Sequence, residues 1–503
     1  MVKVPLGDWL PDLPEFGNPG GLTATNVIPK PLSYGPFASL EAQTNALSSQ
    51  CFGADVFTDE AGNVFVYAGD ASALYEAVSN TFTDESKGGG YTLPVDNQWE
   101  FAQFDTKVMA CNGAGADAVQ SMTIGDGATS AFADMITSTN KPSADHIAVV
   151  WRFVVLGGTN DATDGDKPNR VWWSGINDET DFDPNATTQS DFEDLKEGGA
   201  VSRVVGGADY GVVFQNNLIS RMTYVGSPTI FDFQPVDRKR GTFVSGSVAG
   251  HGRDIFYWSE EGFHRFDGLQ SIPIGDGRVD QSFINQFDVA QKRTVFSAID
   301  PKNKLYAIAF PGSGATGGLP NKLYVCYWPR NKWADVDVDV EIIVKSFTQG
   351  FTLDGLDSVG TDIDDASVFD VSFDADKWKG NQFRFGAFDM DHKLGFFTGS
   401  NLKAVLDTTE VQLIQGSRSF VTSVKPLVQG GGSSTITVEP GSRQRQSDEH
   451  TFSATVTQNA IGECPVLTDA WFHRWRLRID GDDWEHAQGV EIPDDQIQPG
   501  GRS

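Results

Sequence analysis

The chain has 503 residues, with 68 Asp or Glu against 38 Lys or Arg, a formal charge of −30. Charged residues make up 21 % and hydrophobic ones 39 %, so the acidity reflects scarce bases rather than a surplus of charge. That balance excludes tight, salt-dependent nucleic-acid binding, which needs Lys and Arg to release phosphate counterions.

At this length two or three domains, or one large repeat architecture, are expected. The 54 glycines and 11 % aromatics predict an ordered protein with many turns. The opening residues Met1 to Trp9 lack the apolar stretch of a secretory signal, and no apolar run is long enough to span a membrane. Cys51, Cys111, Cys326 and Cys464 lie far apart without a CxxC pair, which suits reduced core thiols in a reducing compartment.

Along the chain, short β-branched and aromatic runs alternate with Gly, Asn, Asp and Pro. Helix is predicted only over Ser39–Leu47, with a turn or two over Val279–Phe287. Strands are predicted at Val64–Tyr67, at Phe101–Phe104 paired with Val108–Ala110, at Ile147–Val150 with Phe153–Leu156, and at Val171–Trp173. Gly211–Phe214 pairs with Leu218–Met222, Ile255–Trp258 with Phe263–Phe266, and Leu305–Phe310 with Leu323–Trp328. The strand centres recur at steps of about 40 to 60 residues, the length of a four-stranded propeller blade. One twisted four-stranded sheet cannot cover both its faces, so blades stack radially and leave few free edges. The WD and kelch signatures are missing, and a set of β-sandwiches would use the same short strands.

Beyond residue 345 the character changes. Residues 354–376 are crowded with Asp and read as an exposed loop or insertion. Phe383–Phe388 and Leu394–Phe397 form a hairpin, followed by strands at Arg418–Val424, Thr435–Val438, Phe452–Val456 and Trp471–Ile479. The expected division is an N-terminal platform segment 1–48, a β-propeller 49–345 of six or seven blades, an Asp-rich insertion 346–380, and a C-terminal β-sandwich-like platform region 381–503.

Signatures of chemistry are thin. Gly312–Gly317 matches GxGxxG but runs into another strand rather than a helix, so it reads as a hairpin loop. Asp161–Asp166 is acidic but fails as an EF-hand, since its register puts Asn160 and Ala162 at the first and third ligand positions and Val171 where the bidentate Glu belongs; the alternative is an improvised cation site in a flexible loop. HExxH, GxSxG and sialidase Asp boxes do not occur. No catalytic residue, metal site or cofactor is expected.

Two strands carry patterned charge. In Asp335-Val336-Asp337-Val338-Asp339-Val340-Glu341 a continuous strand would place the valines on one face and Asp335, Asp337, Asp339 and Glu341 on the other. This face reads either as a solvated edge strand or as a wall along which a polyanion slides without sticking. Arg474, Arg476 and Arg478 alternate with Trp475 and Leu477, a cationic face suited to a subunit interface against acidic neighbours. A second basic run is Arg238-Lys239-Arg240.

Several phrases occur together: Asp8-Trp9-Leu10-Pro11-Asp12-Leu13-Pro14, Asn18-Pro19-Gly20-Gly21-Leu22, Tyr34-Gly35-Pro36-Phe37, Asn169-Arg170-Val171-Trp172-Trp173-Ser174-Gly175, Arg221-Met222-Thr223-Tyr224-Val225-Gly226, Phe256-Tyr257-Trp258-Ser259-Glu260-Glu261-Gly262-Phe263 and Trp484-Glu485-His486-Ala487-Gln488-Gly489. With these the chain resembles the tail nozzle or tail-hub family of short-tailed bacteriophages (tail tubular protein B-like). The resemblance covers most of the chain and is weakest at 354–376 and at Gly430–Gly432.

The resemblance implies a virion structural protein, assembled in the bacterial host cytoplasm, in which a propeller sits on a platform formed by the terminal regions. It implies a homohexameric ring between the portal and adaptor above and tail fibres or tail tip below. Such a ring passes double-stranded DNA without sequence-specific binding and conducts or gates its ejection. The acidity then keeps a channel from adhering to DNA, although a saline habitat would also favour it. Alternatives are another adaptor or fibre-docking propeller, and a polysaccharide-active propeller enzyme.

Overall fold

A computed structural model describes residues 1–78, 80–127, 129–347 and 383–500. Strands dominate because the β-branched and aromatic runs are cut every few residues by turn formers. The hairpin turns use left-handed residues of the kind such turns favour, as at Asp105 (φ 52°) and Asn331 (φ 49°).

Among the described residues, seven sets of four antiparallel strands follow one another along the chain, and the fold is a β-propeller. The first six blades span 53–84, 100–134, 143–194, 201–237, 249–273 and 296–337. The expected hairpins appear, with Phe101 opposite Ala110, Val150 opposite Phe153, Phe214 opposite Ile219 and Trp258 opposite Phe263. The first strand of each blade packs on that of its neighbour, and Ile342–Phe347 in the seventh blade packs on Gly53–Thr58 in the first, closing the ring. Between blades lie apolar layers, such as Val155, Trp173, Val213 and Phe231 between the third and fourth. Each fully buried side chain of this size contributes about 1.5–3 kcal/mol.

The seventh blade corrects two expectations. Its strands are Ile342–Phe347, Phe383–Phe388, Lys393–Asn401 and, outermost, Ala38–Ala46. Residues 39–47, predicted as a helix, therefore lie almost wholly in an edge strand, with Leu40 opposite Phe397 and Ala42 opposite Gly395. Pairing with a partner strand overrides the helix propensity of Leu, Glu, Ala and Gln. The hairpin at 383–397, assigned from the sequence to the platform, also belongs to this blade, so the propeller extends past both expected boundaries, 49 and 345. The Asp-rich stretch 354–376 lies outside the described residues. The short helix α1 (Asp280–Gln286) falls within the predicted 279–287.

The rest forms a platform. Trp484–Ile492 pairs with Val2–Pro5, Lys425–Gly430 and Tyr34, so the two ends of the chain share one sheet. A small sheet joins Ser419–Val421 to Thr468–Ala470 and Ile497–Pro499. A third sheet is continuous with the sixth blade: Ala24–Thr25 bridges Lys332–Asp337 to Ala404–Asp407, followed by Phe472–Asp480 and Thr435–Arg443. One hydrophobic core accordingly runs from Phe256, Tyr306 and Trp333 in the blades to Trp475 and Trp484 in the platform.

Candidate functional site

The acidic segment 335–341 is divided by the fold. Its strand ends at Asp337, because the chain must cross from the outer edge of the sixth blade to the inner strand of the seventh. Asp335 is buried, accepts a hydrogen bond from Thr25 Oγ1 at 2.9 Å and lies 3.5 Å from Lys322 Nζ. Burial pushes its carboxyl up to about 6 against the pull of Lys322. Asp337 is exposed and pairs with the same lysine, and Asp339 is exposed. Glu341 is buried, accepts from the Cys51 amide at 2.8 Å and pairs with His392 Nδ1. The four carboxylates therefore do not form one acidic wall. The strand is not a solvated edge either, since Thr25 pairs with it on its open side.

The cationic strand is likewise internal. Phe472–Asp480 lies between Ala404–Asp407 and Thr435–Arg443. Arg476 forms a two-pronged pair with Asp407 at 2.7 and 3.0 Å and covers the Phe452 ring. Arg478 pairs with Glu439 at 2.7 and 3.3 Å. Arg474 is 1 % exposed, and its Nε and Nη2 have no hydrogen-bond partner among the described residues. The acidic neighbours expected from another subunit are thus supplied by this chain, since the adjacent strands carry carboxylates in register. The basic run at 238–240 is met similarly, Arg238 by Glu197 and Arg240 by Glu261 at 2.7 Å.

The remaining motifs become turns. Gly312–Gly317 lies in the loop between the hairpin strands Leu305–Phe310 and Lys322–Tyr327. At 161–166 a tight hairpin turns, and the cation beside it is a side chain: Arg170 reaches Asp164 at 2.7 Å, Asp194 at 2.6 Å and Asp161 at 3.5 Å. Among the described residues no group of three or more His, Cys, Asp or Glu could hold a metal ion. All four cysteines are buried free thiols.

The propeller axis holds a constellation that sequence reasoning missed. Glu100, His146 and Arg203 come from the first strands of the second, third and fourth blades. The buried Glu100 carboxylate pairs with His146 Nδ1 at 2.8 Å and with the Arg203 guanidinium. Burial opposes ionisation, but Arg203 and then His146 hold the carboxyl below its ordinary value. Two adjoining hollows share this carboxylate, one of about 190 Å³ reaching Asp55, Ser297 and Lys345, the other of about 250 Å³ reaching Asp145, Lys292 and Arg293. Separations of 46 and 103 residues leave no local pattern from which the triad could be read. The Glu100 carboxylate is thus met from two neighbouring blades, so the triad braces three blades.

Fold and site together define a seven-bladed β-propeller joined to a β-platform built from both ends of the chain. No family model matches the chain, and no curated protein matches it. Among solved structures it is similar to the WD40 domain of Neurospora crassa Pan2, at 6 % identity and a TM-score of 0.37 over 69 % of this chain and 88 % of that one. It is also similar to a chain of the mitotic checkpoint complex, at 8 % identity and a TM-score of 0.38 over 73 % and 95 %. A third likeness is to PorZ, a surface component of the type-IX secretion system of Porphyromonas gingivalis, at 10 % identity and a TM-score of 0.30 over 63 % and 36 %. Among the described residues no helix is long and apolar enough to cross a membrane.

Proposed function

We propose that this chain is a structural, non-catalytic protein of a short-tailed phage virion, a ring-forming tail nozzle or hub that continues the DNA channel below the portal and adaptor. The observation that carries the reading is the pairing of Val2–Pro5 with Trp484–Ile492, which makes both ends of the chain one platform beside a closed propeller. This is the arrangement that the resemblance leads one to expect. The net charge of −30 supports it further, since a wall that meets DNA during ejection must not retain it. Native mass measurement at assembly concentrations tests the proposal. A sixfold ring is expected, and a stable monomer or trimer overturns it.

A further inference from the structure

We infer that the recess between the turns of the second and third blades binds one neutral pyranose ring of a saccharide. This inference does not depend on ring assembly. Trp151 and Arg152 are the two central residues of the hairpin turn between Val150 and Phe153. Trp151 adopts φ +54°, a conformation that such turns give to Gly or Asn and that costs a bulky residue about 1–2 kcal/mol. The Trp151 amide donates to Gly207 O at 2.9 Å, and the Asn177 amide donates to Arg152 O at 3.0 Å, so the turn is held on both sides.

Trp151 is 39 % exposed, and its indole packs at a tilt on Tyr224 with ring centres 4.3 Å apart and planes 31° apart. Tyr224 is itself fixed by donating its hydroxyl hydrogen to Gln189 Oε1 at 2.8 Å. A large apolar ring held at the surface in a strained backbone conformation is poorly explained by stability alone.

Beside it lies a recess of about 400 Å³ lined by Gln103, Asp105, Trp151, Arg152 and Asn177 among others. The side chains of Asp105, Arg152 and Asn177 are exposed and have no hydrogen-bond or ion-pair partner among the described residues. They present an acceptor, a fork of donors and an amide that does both, the set that sugar hydroxyls satisfy. One carboxylate and one guanidinium leave the recess without net charge, which favours a neutral ring over a uronate. A proline-rich peptide would stack on the indole but leave these polar groups unmatched. The Arg152 guanidinium carbon stands 5.4 Å from the indole centre, and binding requires this exposed side chain to yield the ring face to the flat C–H face of the sugar.

Saturation-transfer NMR on the intact protein with cellotriose tests this. Transfer to ring C–H protons is expected, with a Kd on the order of 1 mM, the range of a shallow single-ring site. Trp151→Ala should weaken binding about tenfold or more. Arg152→Ala and Asn177→Ala should each weaken it severalfold, and these two variants decide the question if Trp151→Ala fails to fold. No transfer from cellotriose or maltotriose, transfer unchanged in the variants, or binding confined to trigalacturonate or hexaproline overturns the proposal.

Discussion

Asp280 opens helix α1 with its carboxylate enclosed between two glycines. A Cβ at Gly275 would stand 2.0 Å from its Oδ1, and one at Gly262 would stand 2.1 Å from its Oδ2. The Phe263 amide donates to Oδ1 at 2.9 Å, while Asp12 caps the helix through the Gln281 and Ser282 amides at 2.8 and 2.7 Å. Burial pushes the Asp280 carboxyl up to about 7, with Asp12 and Asp276 adding to the rise against the Phe263 amide. A carboxyl raised above its unfolded value stabilises the fold fully below pH 3.8, and this contribution is lost as the pH climbs to about 7. Asp280→Asn keeps the acceptor and removes the cost of ionisation. The variant should exceed the parent by about 1–3 kcal/mol at pH 8 and match it near pH 4 in urea midpoints. An equal gap at both pH values would show that the asparagine acts through packing instead.

At the scale of the element, the outermost strand of the seventh blade is supplied from far away in the chain. Ala38–Ala46 reaches its partner across some of the longest separations in the chain, with the Leu394 amide donating to Thr44 Oγ1, 350 residues away, at 2.9 Å. Gly395 permits the approach, since a Cβ there would lie 2.7 Å from Glu41 O and 3.1 Å from Leu40 Cγ. Gly395→Val should therefore push the strand off its partner. Hydrogen exchange is expected to speed across 38–46 and 393–401 while the second to fourth blades keep their protection, at a stability loss of about 1–3 kcal/mol. Uniform acceleration throughout the propeller would indicate that the seventh blade and the remaining blades open as one unit. The first six blades were legible in the sequence because each is a meander of neighbouring hairpins whose turns and alternation are local. The seventh was not, because its last strand comes from the other end of the chain and its own residues favour helix when read alone.

For the whole molecule, the decisive feature is the sheet that passes from the sixth blade into the platform through Thr25 and Asp335. Shared core residues from Phe256 to Trp484 make these parts one cooperative body. Asp335→Ala removes the acceptor of Thr25 and one of the two counter-ions of Lys322. It should lower stability by about 1–3 kcal/mol and separate the calorimetric transition of the platform from that of the blades. A single transition shifted as a whole would mean that the apolar core alone couples them.

Of the candidate site, the sequence displayed the charges but not their partners. Asp335, Glu341, Arg474, Arg476 and Arg478 stand where alternation predicts patterned faces, yet the fold buries or pairs each of them except at the exposed margin of Arg478. The sequence by itself determined the strand-rich architecture, the hairpin pairings and the overall acidity, because turn chemistry, β-propensity and charge count act locally or additively. Only the tertiary structure decided which segment completes the seventh blade, which carboxylates lose their water and which arginines are answered from within the chain. Those outcomes depend on which residues meet across tens or hundreds of positions, and no local pattern encodes that meeting.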